Sequence, residues 1–191
     1  MEITDKRFSA REINLLASLK RKKLESIDAV IVARDNFAWN TIRLHFADDH
    51  IDLNNYLGEI VVDEFGTIDE FGLLSINPAS SERLNIAGVS ANTSTFDVGQ
   101  EIIGIQIINN IIDVFGNGEK VATVAYPQAV VLRLNHGVIV LDKENWFSEM
   151  IALKMADSIE GQIYDDSVNW EDNPEEDPST HYSFKMETVT L

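Results

Sequence analysis

Ile111-Ile112-Asp113-Val114-Phe115-Gly116-Asn117-Gly118-Glu119-Lys120-Val121-Ala122-Thr123-Val124-Ala125-Tyr126 sets two β-branched, alternating arms around an Asn-Gly pair. Asn and Gly both tolerate positive φ, which a two-residue hairpin loop needs at both central positions. The stretch predicts a hairpin with arms Ile111–Phe115 and Lys120–Tyr126. The same pattern recurs on both sides of it. Downstream, Ala129–Leu134 and Val138–Leu141 flank the turn Asn135-His136-Gly137. Upstream, Ile42, Leu44 and Phe46 alternate with Thr41, Arg43 and His45, the turn Ala47-Asp48-Asp49 follows, and Ile51 and Leu53 resume the apolar face. A period of two with turn residues between the runs is the signature of half-buried antiparallel strands. Further strands are expected at Ile27–Arg34, Glu59–Phe65 and Glu101–Asn109. Residues 67–76 read as a short helix or loop, and Phe147–Met155 fits strand and helix equally. His181–Leu191 reads as a closing strand that turns Tyr182, Phe184 and Met186 inward.

One helix is expected, at the N-terminus. Ser9-Ala10-Arg11-Glu12 is a capping box, in which the Ser9 hydroxyl and the Glu12 carboxylate each accept from the other's backbone N–H. Phe8 and Ile13 stand at the positions of a hydrophobic staple. Ile13, Leu16 and Ala17, then Leu24, supply the apolar face. Lys20-Arg21-Lys22-Lys23 reads as the basic end of this helix, where cations complement the dipole. The fold class is therefore α+β, mostly antiparallel β with an N-terminal helix. Two related β-units packed together are suggested by the parallel between Ile42-Arg43-Leu44 with its return strand and Leu132-Arg133-Leu134 with its own. The expected organisation is a helix in 1–26, a first β-unit in 27–76, a connection in 77–101, and a second β-unit in 102–191 carrying an acidic loop and the closing strand. A single compact domain fits the same pattern.

The chain has 191 residues and a formal charge of -17, and it lacks cysteine. A core of this size needs no covalent staple, and the absence of thiols excludes disulfides and Cys-based metal sites. The charge is uneven: residues 1–34 carry eight basic and five acidic groups, and everything after them is strongly acidic. Nine carboxylates stand between Asp157 and Asp177, and no Lys or Arg lies between Met155 and Phe184. A field of this sign repels nucleic acid and anionic membranes and attracts cationic proteins. No apolar leader follows the N-terminal residues and no stretch approaches the length of a membrane span, so a cytoplasmic protein is expected.

Motifs that name a reaction are missing. The tip Gly116-Asn117-Gly118-Glu119-Lys120 lacks the spacing of a phosphate-binding loop, and Gly88-Val89-Ser90-Ala91-Asn92 lacks the last glycine of a nucleophile elbow. Asn92-Thr93-Ser94 matches a glycosylation acceptor only as a tripeptide. His45, Asp48, Asp49 and His50 form the densest set of possible metal ligands, although Asp-Asp is also ordinary turn chemistry. His136 and His181 read as surface histidines. No cofactor is implied.

The reading that follows is a cytoplasmic protein that occludes a basic protein partner, as bacterial immunity-type inhibitors of toxins or nucleases do. Its contact residues are Tyr164, Asp165, Asp166, Trp170, Glu171, Asp172, Glu175, Glu176 and Asp177. The two aromatics serve as anchors and the carboxylates steer the partner. A second reading is a small-ligand-binding or enzymatic module with Arg43, His45 and Arg133 lining a site between the two β-units. A third is a homo-oligomer in which the basic helix end docks on a neighbour's acidic face.

Overall fold

The computed structural model describes residues 2–32, 37–61, 68–79, 84, 93–145, 148–171 and 179–191. In chain order the elements are β1 (Glu2–Asp5), α1 (Ala10–Ala17), β2 (Lys23–Ile31), β3 (Phe37–His45), β4 (His50–Val61), β5 (Ile68–Pro78), β6 (Thr93–Gly116), β7 (Glu119–Leu134), β8 (Val138–Lys143), β9 (Met150–Ala156), a 3-10 turn (Asp166–Trp170) and β10 (Thr180–Thr190). Strands β7, β8, β9, β3, β2 and β6 pair in that order, and β6 pairs in turn with β7. Six antiparallel strands thus close into a ring, which leaves the ring itself without open edges. Strand β1 adds to β7 in parallel, β10 adds to β6, and the β4–β5 hairpin branches from β3.

Two strands change partners along one edge, and this gives the fold a second layer. Phe37–Trp39 of β3 pair with β9, whereas Thr41–His45 pair with β4. The switch falls at Asn40, whose φ is 59°, a left-handed conformation that Asn tolerates better than most residues. Its side-chain amide donates to the Asn55 carbonyl at 3.0 Å, which ties the branch point to β4. Similarly, β6 pairs with β2 over Thr93–Glu101 and with β10 over Gln106–Gly116.

The first core fills the ring. Ile27, Ile42, Leu44, Ile105, Val130, Leu132, Ile139, Leu141 and Leu153 meet there, joined by Leu16 of α1 and by Leu19 and Leu24 beyond it. Two further clusters lie on the other face of the β6–β7 wall. One gathers Ile60, Phe71, Leu73, Ile112, Val114, Val124, Tyr126 and Trp170. The other gathers Ile108, Ala129, Val131, Val138 and Val140, with Ile159 and Ile163 packed on it. Strand β8 is buried along its whole length as a result. A strand covered on both faces reads as a continuous apolar run rather than an alternating one.

The hairpins expected from the sequence are present. Asn117 and Gly118 have φ of 51° and 82°, the pair of positive values that a type I′ turn requires. The capping box forms, with Ser9 N donating to Glu12 Oε2 at 2.8 Å. The other Glu12 oxygen accepts from Ile76 N at 3.0 Å, so the cap also ties α1 to β5.

Several expectations are corrected. The mostly antiparallel β reading holds, but among the described residues the α part is a single eight-residue helix. Residues 68–76, read as helix or loop, belong to β5, which pairs with β4 in unbroken register from Ile68 to Pro78. Phe71 and Leu73 face the second cluster while Leu74 and Ile76 face the first, so both faces are buried and no polar–apolar alternation survives. Lys20–Lys23 is not a helix end: α1 stops at Ala17, Arg21 turns the chain at φ 69°, and Lys23 opens β2. The ambiguous segment resolves to strand over Met150–Ala156. In β10, Tyr182 and Phe184 pack inward, but Met186 is 46% exposed. The stretch 77–101 gives its ends to β5 and β6, while residues 80–83 and 85–92 lie outside the described residues. Among the described residues, no helix is long and apolar enough to cross a membrane.

The β4–β5 hairpin rests on the chain entering β9: Asn55 Nδ2 donates to the Ser148 and Met150 carbonyls at 2.8 and 3.1 Å. Gly72 allows that approach, because a Cβ there would stand 2.5 Å from the Ser148 carbonyl oxygen. A Cβ at Gly104 would meet only ordinary contacts, the nearest at 3.6 Å to Arg133 Cδ. Gly72→Ala is therefore expected to cost roughly 2 kcal/mol, as overpacking does, and Gly104→Ala close to nothing. Urea unfolding of the two variants checks the difference.

Candidate functional site

The acidic segment is a strap that lies across the outside of the ring. Its sequence dictates that posture. Ile159, Ile163 and Trp170 are apolar residues spaced along an otherwise charged stretch, and each packs on a cluster the barrel wall leaves uncovered. Trp170 is only 4% exposed and contacts the rings of Phe71 and Tyr182 at 5.5 and 5.4 Å between centroids. Its indole N–H donates to the Tyr126 hydroxyl at 3.1 Å. Between these anchors Asp165 caps the 3-10 turn by accepting from Ser167 N at 3.0 Å.

Beneath the strap runs a continuous polar network inside the protein. The Tyr126 hydroxyl donates to Asp166 Oδ2, which also accepts from Asn110 Nδ2 at 3.3 Å. Asn110 Nδ2 reaches Gln128 Oε1 at 3.1 Å, and Gln128 Nε2 donates to Asp142 Oδ1 at 2.9 Å and to the Lys143 carbonyl at 2.7 Å. The other Asp142 oxygen accepts from Lys154 Nζ at 2.8 Å and from Tyr164 N at 2.9 Å. Lys154 Nζ also donates to the Gln162 carbonyl. Burial pushes the Asp142 carboxyl above its ordinary range, against the lowering pull of Lys154 and Gln128. Burial likewise raises the Tyr126 phenol well above its usual value, and the neighbouring Asp166 charge adds to this. Where the network meets solvent, Phe37, Asp142, Glu144, Asn145, Ala152, Lys154 and Tyr164 line a cleft of about 300 Å³.

The expected contact residues divide sharply. Asp166 and Trp170 are buried, so neither is presented to a partner: the apolar wall of the barrel claims the indole, and Asp166 is drawn in by three polar neighbours. Tyr164 is half-buried, and Asp165 and Glu171 are exposed. Asp172, Glu175, Glu176 and Asp177 lie outside the described residues. Asp157 and Glu160 are exposed on the same strap.

His45 and His50 do come together, as a cross-strand pair whose Nδ1 atoms are 3.0 Å apart, one donating and the other accepting. His45 Nε2 lies 2.9 Å from Asp28 Oδ2 but without the geometry of a hydrogen bond. Asp49 is committed to Lys22 at 2.6 Å, and Asp48 is exposed in the turn. Among the described residues, no three His, Cys, Asp or Glu side chains converge in a way that could hold a metal ion. Arg43 is buried and makes a two-pronged contact with Asp52 at 2.7 and 2.9 Å, whereas Arg133 is exposed. Sequence reasoning overlooked Lys143, Tyr126, Asn110 and Gln128. The available signal was the charged pair Asp142-Lys143 at the end of an apolar strand. Comparison with protein-family models, with curated proteins and with solved structures finds no match to this chain.

Tyr126→Phe removes the donor to Asp166 and the acceptor for Trp170, leaving two buried groups short of a partner, a cost of roughly 2–4 kcal/mol. The unfolded phenol ionises near ~10 while the native one stays protonated, so the native state holds the extra proton and stability falls as pH rises beyond ~10. The wild type's advantage over Tyr126→Phe in thermal melts is thus expected to narrow above that pH.

Proposed function

We propose that the protein is an acidic binding protein that occludes a cationic protein partner, the strap serving as its contact ridge. The observation that carries this reading is the division of the strap into two sides. Ile159, Ile163, Asp166 and Trp170 hold it down, and Asp157, Glu160, Asp165 and Glu171 stand outward. Carboxylates on a backbone already fixed by burial need little ordering when a partner arrives, so less of the attraction is spent on entropy. The long-range field of a chain with charge -17 raises the encounter rate with a basic surface. Met155 and Val168, 50% and 54% exposed, supply apolar contact beside the charges, the role first assigned to Trp170. A cytoplasmic immunity-type inhibitor, whose carboxylates stand where a nuclease would receive phosphates, is the specific form this reading takes.

The test is affinity capture from the source cells at low salt, followed by binding kinetics of the retained protein at rising ionic strength. The expected partner is basic and loses affinity steeply with salt. The combined variant Asp157→Asn, Glu160→Gln, Asp165→Asn, Glu171→Gln is expected to bind about 10-fold more weakly or worse, the sum of several rim ion pairs. A control variant neutralised at Asp48, Glu101 and Glu119 should bind nearly as the wild type. Equal losses in both variants, or a retained protein indifferent to salt, would remove the support for this reading.

A further inference from the structure

Lys143 is fully enclosed, at 0% exposure, and belongs to no part of the partner-binding ridge. An ammonium carries three N–H donors, yet Lys143 Nζ has no hydrogen-bond acceptor among the described residues. The nearest carboxylate oxygen, Asp166 Oδ2, is 3.9 Å away, beside it but beyond hydrogen-bond reach. The amine otherwise faces the rings of Tyr126 and Phe71, 4.1 and 4.9 Å from their centroids. Asp166 is better provided for, with Tyr126 and Asn110 donating to it. A buried ion pair offsets its desolvation only when hydrogen bonds satisfy both members. Here one member is satisfied and the other is not. Lys154 offers the contrast: it is partly exposed and bonds to Asp142 and to the Gln162 carbonyl.

From this juxtaposition we infer that Lys143 Nζ and the side-chain carboxyl of Asp166 condense to an intramolecular isopeptide bond, which fastens the strap covalently to β8. The chemistry balances without a co-reactant. Proton transfer within the pair, from Nζ to Asp166 Oδ2, leaves an amine whose lone pair attacks Cγ and forms the N–C bond. The Tyr126 phenol, hydrogen-bonded to Oδ2, passes a proton to that oxygen and is reprotonated from Nζ. The Cγ–Oδ2 bond breaks, Oδ2 departs as water, and Oδ1 remains as the amide carbonyl. Nothing is oxidised or reduced. Burial draws the Lys143 pKa down to about 8, so the nucleophilic form is reached near neutral pH. Fixed neighbours replace a bimolecular encounter, and the closed apolar surroundings of Phe71, Tyr126 and Trp170 keep bulk water from reversing the step. The product has no charge and one N–H in place of three.

Intact-mass spectrometry of the denatured full chain decides the matter. The wild type is expected to be lighter than its sequence by one water molecule, with Lys143→Met and Asp166→Ala at their full sequence masses. Trypsin should leave Lys143 uncut and yield peptide 134–154 joined to peptide 155–185. Tyr126→Phe should slow the appearance of the lighter species. Because the decisive reading is made on the wild type, a variant that folds poorly does not blur it. Wild type at full mass after prolonged incubation of the folded protein at mildly alkaline pH would overturn the inference. So would a loss of ammonia in place of water, which would point to Asn55 or Asn110 as the acceptor, or a loss of water that maps to any other pair.

Discussion

Asp166 inside the protein, held by Tyr126 and Asn110 with Lys143 beside it, is the constraint on which the arrangement turns. A carboxylate is costly to bury, and it stays buried only where hydrogen bonds and an opposite charge await it. By accepting that cost at one residue, the chain brings Trp170 onto the second cluster and Ile163 onto the third. These contacts cover the outer face of β7 and β8, which would otherwise show Val131, Val138 and Val140 to water. The barrel wall and the strap thus complete each other. One supplies apolar surface and the other supplies its cover.

Much of the strand order was beyond a local reading, while much of the local structure was not. Hairpins signalled by Asn117-Gly118, Asn135-His136-Gly137 and Asp48-Asp49 were legible because turn chemistry acts within a few residues. The capping box at Ser9 was legible for the same reason. Strand β5 was not, because both its faces are buried and its pattern Phe71-Gly72-Leu73-Leu74 has no period. The pairings of β2 with β6 and β3 with β9 join segments far apart in the chain, and no short pattern announces them.

The candidate site shows the same division. The negative charge of residues 157–177 is plain in the composition. Which members face outward is not, because acidity and aromaticity look alike whether a residue points to solvent or to a wall not yet placed. Trp170 reads as an anchor in either case; the clusters around Phe71 and Tyr126 make it an internal one. Lys143 gave a weaker signal still, being one cation at the end of an apolar run, and only its enclosure sets it apart from the other lysines.

Strand β1 pairs in parallel with β7, Glu2–Asp5 lying against Ala122–Ala125. On a ribosome, Glu2–Asp5 therefore have no docking place until residues 122–125 have emerged. The ring also waits, since β3 closes against β9 only after residue 152 has been synthesised. Such distant pairings carry a large loop-closure cost before any contact rewards them, and proteins dominated by them fold slowly. Nascent chains of this protein would spend a long interval with apolar strands uncovered. The carboxylates of residues 157–177 come too late to shield those strands, since they are made only after the ring can close.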